Sequence, residues 1–163
     1  MDVLEAIRSR RSVREFSEKH VDDKLVGDIL TAGVWAPSGL NNQPWKFKVL
    51  NGVLKDSIAG CTRYGRIIRD APVCIAVFLD ENEGYDRTKD VQAIGACIQN
   101  MLLAAHSIGL GGVWLGEILN QREKVRELLG VPESCELMAV IAIGWPNGNA
   151  GSGSRGSVGG FML

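Results

Sequence analysis

Apolar residues recur along this chain in two rhythms. At the amino end they fall at helical spacing: Asp2 is placed to cap a first helix with Val3, Leu4 and Ile7 on one face. Asp22 is placed to cap a second, with Leu25, Ile29 and Leu30 inward, and it should end near Gly33 to Pro37 because proline disfavours helix in the residue before it. After Pro44 the rhythm shortens to two, Trp45, Phe47 and Val49 alternating with Lys46, Lys48 and Leu50, which predicts an edge or half-covered strand with one wet face. The apolar run VCIAVFL at 73–79 predicts a buried strand. Residues 91–108 carry no formal charge, a length that raises the question of a membrane span. Gln92, Gln99, Asn100, His106 and Ser107 interrupt it, so the pattern predicts a helix buried in protein or in a subunit interface.

Glycines 109, 111, 112 and 116 bracket a short strand, GVWLG. Asn120 is placed to cap a helix with Val125, Leu128 and Leu129 inward, closed by Gly130 and Pro132. Residues 136–144 are apolar on both faces and predict a central strand. Helices alternating with such strands predict an α+β domain over residues 1–147, a central mixed sheet flanked by helices. Residues 148–163, with six glycines, predict a flexible tail whose closing Phe161, Met162 and Leu163 either dock or float.

Composition narrows the classes. A chain of 163 residues that is 45% apolar and 23% charged suits one globular domain with a real core. Cys61, Cys74, Cys97 and Cys135 lie far apart with no C-x-x-C pair and no neighbouring histidine, so no metal or redox dithiol is spelled out, and buried thiols are expected. Reduced thiols and an amino terminus without an apolar export segment point to the cytoplasm. A net charge of −1 argues against a surface built for nucleic acid or anionic membrane.

Charge is nevertheless concentrated in RSRRSVR at 8–14, four arginines with no acid among them. Beside Ser9 and Ser12 these guanidiniums suit a phosphate monoester; the alternative is a solvated turn paired with Glu5, Glu15 and Glu18. In PSGLNNQPW at 37–45, Ser38, Asn41, Asn42 and Gln43 offer donors and acceptors for a flat heterocycle edge; the alternative is a polar connection. Trp35, Trp45, Trp114 and Trp145 are expected as core anchors, His20 and His106 as solvent or interface residues, and Arg63, Arg66 and Arg69 beside Tyr64 as a solvated helix face.

Taken in order, these segments resemble the nitroreductase family. The carriers are Arg10, Arg11, Ser12, Arg14 and Phe16 (R-R-S-x-R-x-F), then Ala36-Pro37-Ser38, Asn41 and Gln43-Pro44-Trp45, then Asp70 to Val73. Asn100, Leu102 to Ala105 and Gly109 to Gly111 complete the set. The resemblance implies an intertwined homodimer with FMN at its interface, reduced by NADH or NADPH. Hydride would pass through flavin N5 to a nitro, quinone or similar small-molecule acceptor that alternates with nicotinamide in one site. Arg10, Arg11, Ser12 and Arg14 would surround the phosphate, ribityl chain and pyrimidine edge, with Arg14 stabilising the reduced ring. Pro37, Ser38 and Gly39 would cover the ring from the partner subunit; Asn41 and Gln43 would touch flavin or brace the loop; Leu115 and Gly116 would present amides to N5 and O4.

Two departures stand out. Basic residues usual after the final strand are missing, and from Glu127 onward the only positive charge is Arg155, in the tail. The chain is also short for the family between Trp45 and Val73 and at its end, which suggests an open site with a broad acceptor range. Other classes stay open: a flavin carrier or sensor without turnover, or a phosphate-ligand or nucleic-acid binding module using RSRRSVR alone.

Overall fold

The computed structural model describes residues 1–148 and 150–163. Four strands, β1 (Trp45–Leu50), β2 (Val73–Asp80), β3 (Gly111–Leu115) and β4 (Cys135–Gly144), pair antiparallel in the order β1-β2-β4-β3. β1 is an edge and β4 is central, as their patterns require. The parallel pairing expected of a mixed sheet is confined to one bridge, Ser12 with Gly112.

Helices cover both faces. On one lie α2 (Asp23–Val34) and α5 (Arg87–Ser107), packed through Ile29, Ile94, Ile98 and Met101 onto Ile75, Val77 and Ile141. On the other lie α3 (Gly52–Ala59), α4 (Gly65–Asp70) and α6 (Arg122–Leu128), packed through Ile58, Ile68 and Val125 onto Cys74, Ala76, Phe78 and Val140. Leu50, expected on a wet face, is fully buried against this second layer, whereas its neighbour Val49 and Lys46 are exposed. Lys48 still reaches a polar partner, donating to Leu129 O at 2.5 Å.

Capping follows the sequence at two helices and departs from it at a third. Asp2 accepts from Glu5 N at 2.9 Å to start α1 (Val3–Ser9), and Asp22 accepts from Lys24 N at 2.8 Å to start α2. Asn120 caps nothing; it lies in a 3-10 turn, Glu117–Gln121, that runs directly into α6. Leu128 is exposed, leaving Val125 and Leu129 as the inward pair. Of α1 only Ala6 is buried, so Val3, Leu4 and Ile7 form an apolar face that this chain does not cover.

The arm after α1 is fixed along the sheet. Val13 N donates to Gly112 O at 3.1 Å, Ser17 N to Trp145 O at 2.9 Å and Asn147 N to Glu15 O at 3.0 Å. A methyl on Gly111 would stand 2.5 Å from Val13 Cγ2, so the close approach of arm and β3 requires glycine there. Among the described residues no helix is long and apolar enough to cross a membrane; α5 buries Ala93, Ile94, Cys97, Ile98, Met101, Leu102 and Ala105 along one side.

Candidate functional site

The arginine segment leaves α1 at its carboxyl end and enters the arm, so the arm's pairing with β3 and β4 decides where its guanidiniums stand. Arg10 and Arg11 are half-buried and Arg14 is exposed. Arg11 Nη1 donates to Arg8 O at 2.7 Å and Arg10 O at 2.9 Å, and Arg14 Nη1 to Ser12 O at 3.4 Å. The proposed pairing with Glu5, Glu15 and Glu18 does not form: among the described residues, none of Arg8, Arg10, Arg11 and Arg14 has a carboxylate within 4.0 Å.

The glycine-rich tail lies against this cluster. A methyl at Gly153 would stand 2.9 Å from Arg11 Nε. Burial lowers the Arg10 pKa from its ordinary value, and the charges of Arg155 and Arg11 lower it further, so Arg155 brings its cation near Arg10. Arg10, Arg11 and Arg155 thus gather positive charge with, among the described residues, no carboxylate within 4.0 Å of any of them, an arrangement that favours an anion. Phe161, Met162 and Leu163 remain exposed.

His106, given a bland reading from sequence, closes the other side of the cluster. Its Nε2 lies 2.7 Å from Ser9 Oγ, which itself donates to Glu5 O at 2.7 Å. With that hydroxyl proton spent, the imidazole Nε2 carries the donor. Burial lowers the His106 pKa, and Arg10 and Arg11 add to the effect.

The second candidate, residues 37–43, sits elsewhere. Leu40, Asn41 and Gln43 have φ of 55°, 55° and 49°, the left-handed region, which costs a leucine about 1–2 kcal/mol. Gln43 N donates to Ser38 Oγ at 3.0 Å and Gln43 Nε2 to Asn41 O at 3.3 Å. The main brace is Asn42, whose Nδ2 donates to Glu83 O at 2.9 Å and to Asp90 Oδ1 at 2.8 Å. Asp90, 3% exposed, accepts through Oδ2 from Tyr85 N at 3.0 Å and Asp86 N at 3.1 Å. Desolvation pushes its carboxyl up, but these hydrogen bonds outweigh it and hold the group below its usual range. Tyr85 closes over Gly39, where a methyl would collide with its hydroxyl.

Loop and arginines therefore occupy opposite ends of α5. Asp90, at one end, and His106, at the other, are sixteen residues apart, about 24 Å along a helix. A single protomer does not bring Pro37, Ser38, Gly39, Asn41 and Gln43 to the guanidiniums.

Leu115 ends β3, whose first residues pair with the arm, and Gly116 follows it. Gly116 has φ −96°, ψ −19°, a conformation open to any residue, and a methyl there would meet nothing closer than Trp114 Nε1 at 4.0 Å. Gly116 is exposed, and the fold places nothing against the position its side chain would take. Glu117, which follows, was not singled out from sequence; it takes hydrogen bonds from Thr62 Oγ1 and Arg63 N, contacts 55 and 54 residues apart that carry no local signal.

Two tryptophans are not core anchors: Trp35 is 82% exposed and Trp114 is 41% exposed, whereas Trp45 is buried. All four cysteines are free and buried, and burial pushes the Cys74 and Cys97 thiols up to about 12, far from a reactive thiolate. Among the described residues no group of His, Cys, Asp and Glu is arranged to hold a metal.

Comparison with known proteins places this geometry. The model of the "Nitroreductase family" matches residues 7–62 and 54–145. A Methanothermobacter thermautotrophicus protein assigned as an NADH dehydrogenase/NAD(P)H nitroreductase is 39% identical over 155 residues, 93% of this chain and 81% of that protein. The NADPH-flavin oxidoreductase of Vibrio harveyi is 30% identical over 161 residues, 91% of this chain and 67% of that protein. A crystal structure from Desulfovibrio desulfuricans, assigned as a nitroreductase in complex with FMN, superposes with a TM-score of 0.96 at 48% identity, covering 100% of this chain and 96% of that one.

Proposed function

Because this chain belongs to the nitroreductase family, we propose that it is an FMN-dependent oxidoreductase, taking hydride from NADH or NADPH and reducing a nitro, quinone or similarly electron-poor small molecule. The observation that carries this reading is the gathering of Arg10, Arg11 and Arg155 with no carboxylate within 4.0 Å among the described residues, which suits a phosphate monoester. The NADPH-flavin oxidoreductase relative and the FMN-bound neighbour supply the identity of the ligand.

Each residue then has a task. Arg10, Arg11 and Arg155, with the Ser12 hydroxyl, hold the phosphate. Arg14, exposed and donating to Ser12 O, would face the pyrimidine edge and stabilise negative charge at N1 and O2. Leu115 and Gly116 would offer backbone amides to N5 and O4, and the open space at Gly116 would admit the ring edge. Bound there, FMN would supply the redox chemistry that links the nicotinamide donor to an electron-poor acceptor, both of which would occupy the same place over the ring in turn.

The 24 Å between loop and arginines calls for a second copy. If two α5 helices pack antiparallel across a twofold axis, the loop of one protomer meets the arginines of the other. Pro37, Ser38 and Gly39 then roof the ring across the interface, with Asn41 and Gln43 bracing that roof. The uncovered face of Val3, Leu4 and Ile7, together with Trp35 over a cleft of about 620 Å³ between α1, α2 and α5, supports the same assembly.

Anaerobic stopped-flow tests the activity. NADH or NADPH should bleach the 450 nm region flavin band, about the usual position for oxidised flavin, and nitrobenzene should restore it within the turnover time. Flavin that neither nucleotide bleaches overturns the enzyme reading in favour of a carrier.

A further inference from the structure

The turn between α3 and α4 carries exposed side chains that neither the fold nor the cofactor reading uses. Thr62 Oγ1 donates to Glu117 Oε2 at 2.5 Å, Arg63 N donates to the same oxygen at 3.3 Å, and Tyr64 N donates to Thr62 Oγ1 at 3.2 Å. Glu117 is the next residue after Gly116, so this carboxylate holds the Arg63–Tyr64 turn next to the end of β3. The hydrogen bond from Thr62 lowers the Glu117 pKa against desolvation, with Arg63 N and the Arg63 charge assisting, which keeps the tether ionised at neutral pH.

Glu117 spends that oxygen on a hydroxyl and an amide rather than on a guanidinium. Among the described residues Arg63 has no carboxylate within 4.0 Å; its guanidinium instead lies 5.1 Å from the centre of the Tyr64 ring. One turn on, Arg66 is already engaged with Asp70 at 3.1 Å. A cation without a carboxylate partner, lying over an exposed aromatic ring, both held by backbone contacts to the residue that follows the exposed Gly116, has the chemistry of a recognition wall for a flat anion.

Resting on the FMN reading above, we infer that Arg63 and Tyr64 form the acceptor-side wall of the site and select flat acceptors bearing an anionic group such as a carboxylate. Tyr64 offers a face for stacking, and Arg63 supplies a two-pronged donor that matches a carboxylate. The tether to Glu117 runs through the Arg63 amide, so removing the side chain leaves the turn in place.

The test is steady-state kinetics on FMN-loaded protein with two probes of equal ring size, 4-nitrobenzoate and its methyl ester, for wild type, Arg63→Ala and Arg63→Lys. Arg63→Ala should raise KM for 4-nitrobenzoate about fivefold, the worth of one partly exposed ion pair, with kcat little changed. The methyl ester's KM should stay near its wild-type value, and Arg63→Lys should recover part of the loss for the acid. Equal shifts for both probes, no shift for either, or a change confined to KM for NADH overturns the inference. Flavin absorbance separates the levels: wild type that takes up no FMN overturns the cofactor reading and this inference together. Flavin-loaded proteins without charge preference overturn the wall alone.

Discussion

Replacing Gly116 with alanine separates what the fold requires from what a ligand requires. The backbone there, φ −96° and ψ −19°, suits any L residue, and the new methyl would have Trp114 Nε1 at 4.0 Å as its nearest neighbour. At such a position glycine to alanine stabilises by about 0.4–1 kcal/mol, through a less flexible unfolded chain. For a domain of this size that raises Tm by about 1–4 °C. The same methyl would stand where a flavin edge must approach the Leu115 and Gly116 amides. Overpacking of that kind costs about 1–3 kcal/mol, so FMN affinity should fall roughly 5- to 150-fold. Thermal melts of the apo-protein and titration of flavin fluorescence read the two effects independently. Unchanged FMN affinity refutes the placement of the ring edge at Gly116, and a lower apo Tm refutes the claim that the fold leaves this position open.

Three further outcomes are expected. Arg10→Ala removes one charge-assisted phosphate contact worth about 1.5–3 kcal/mol and should weaken FMN binding roughly 10- to 150-fold; Lys24→Ala, which breaks only an exposed pair with Asp28, should leave binding unchanged, and equal titration curves for the two variants would remove Arg10 from the phosphate site. Asp90→Ala strands the Asn42 amide and the Tyr85 and Asp86 N–H groups, costing about 3 kcal/mol or about 6–12 °C in Tm. Because the folded Asp90 pKa lies below its ordinary 3.8, the advantage of wild type over this variant is fully present above that pH and shrinks as pH falls below it; a gap in melts that widens as pH falls below 3.8 contradicts the sign. His106 has a folded pKa below its ordinary 6.5, so the fold favours the neutral ring: wild type should lose stability relative to His106→Gln as pH falls from that value, and a flat difference across pH 5 to 8 contradicts it.

Local signals were readable in the sequence and distant ones were not. Asp2 and Asp22 cap the helices they precede because a cap depends on three or four neighbouring residues. The two-faced apolar run of β4 identifies a central strand because its pattern reports burial directly. Asn42, by contrast, braces its loop through groups 41 and 48 residues away, and nothing near it in the chain announces them. Val3, Leu4 and Ile7 read as a core-facing stripe, yet the chain itself leaves them uncovered; periodicity shows that a face is apolar, not which molecule covers it. Trp35 and Trp114 mislead for the same reason. Arg155 was recognisable as the only late cation, but only the folded tail, with Gly153 against Arg11, brings it near Arg10. The candidate site is thus legible in its residue types and illegible in its assembly, since half of it stands about 24 Å from the rest within one protomer.

The central claim is that these guanidiniums hold a phosphate, and comparing FMN with riboflavin on the same apo-protein tests it most directly, since the two differ only in that group. FMN should bind about 100-fold more tightly, as two charge-assisted contacts would require, and added salt should narrow the gap. Equal affinity for the two flavins, or uptake of neither, would contradict it.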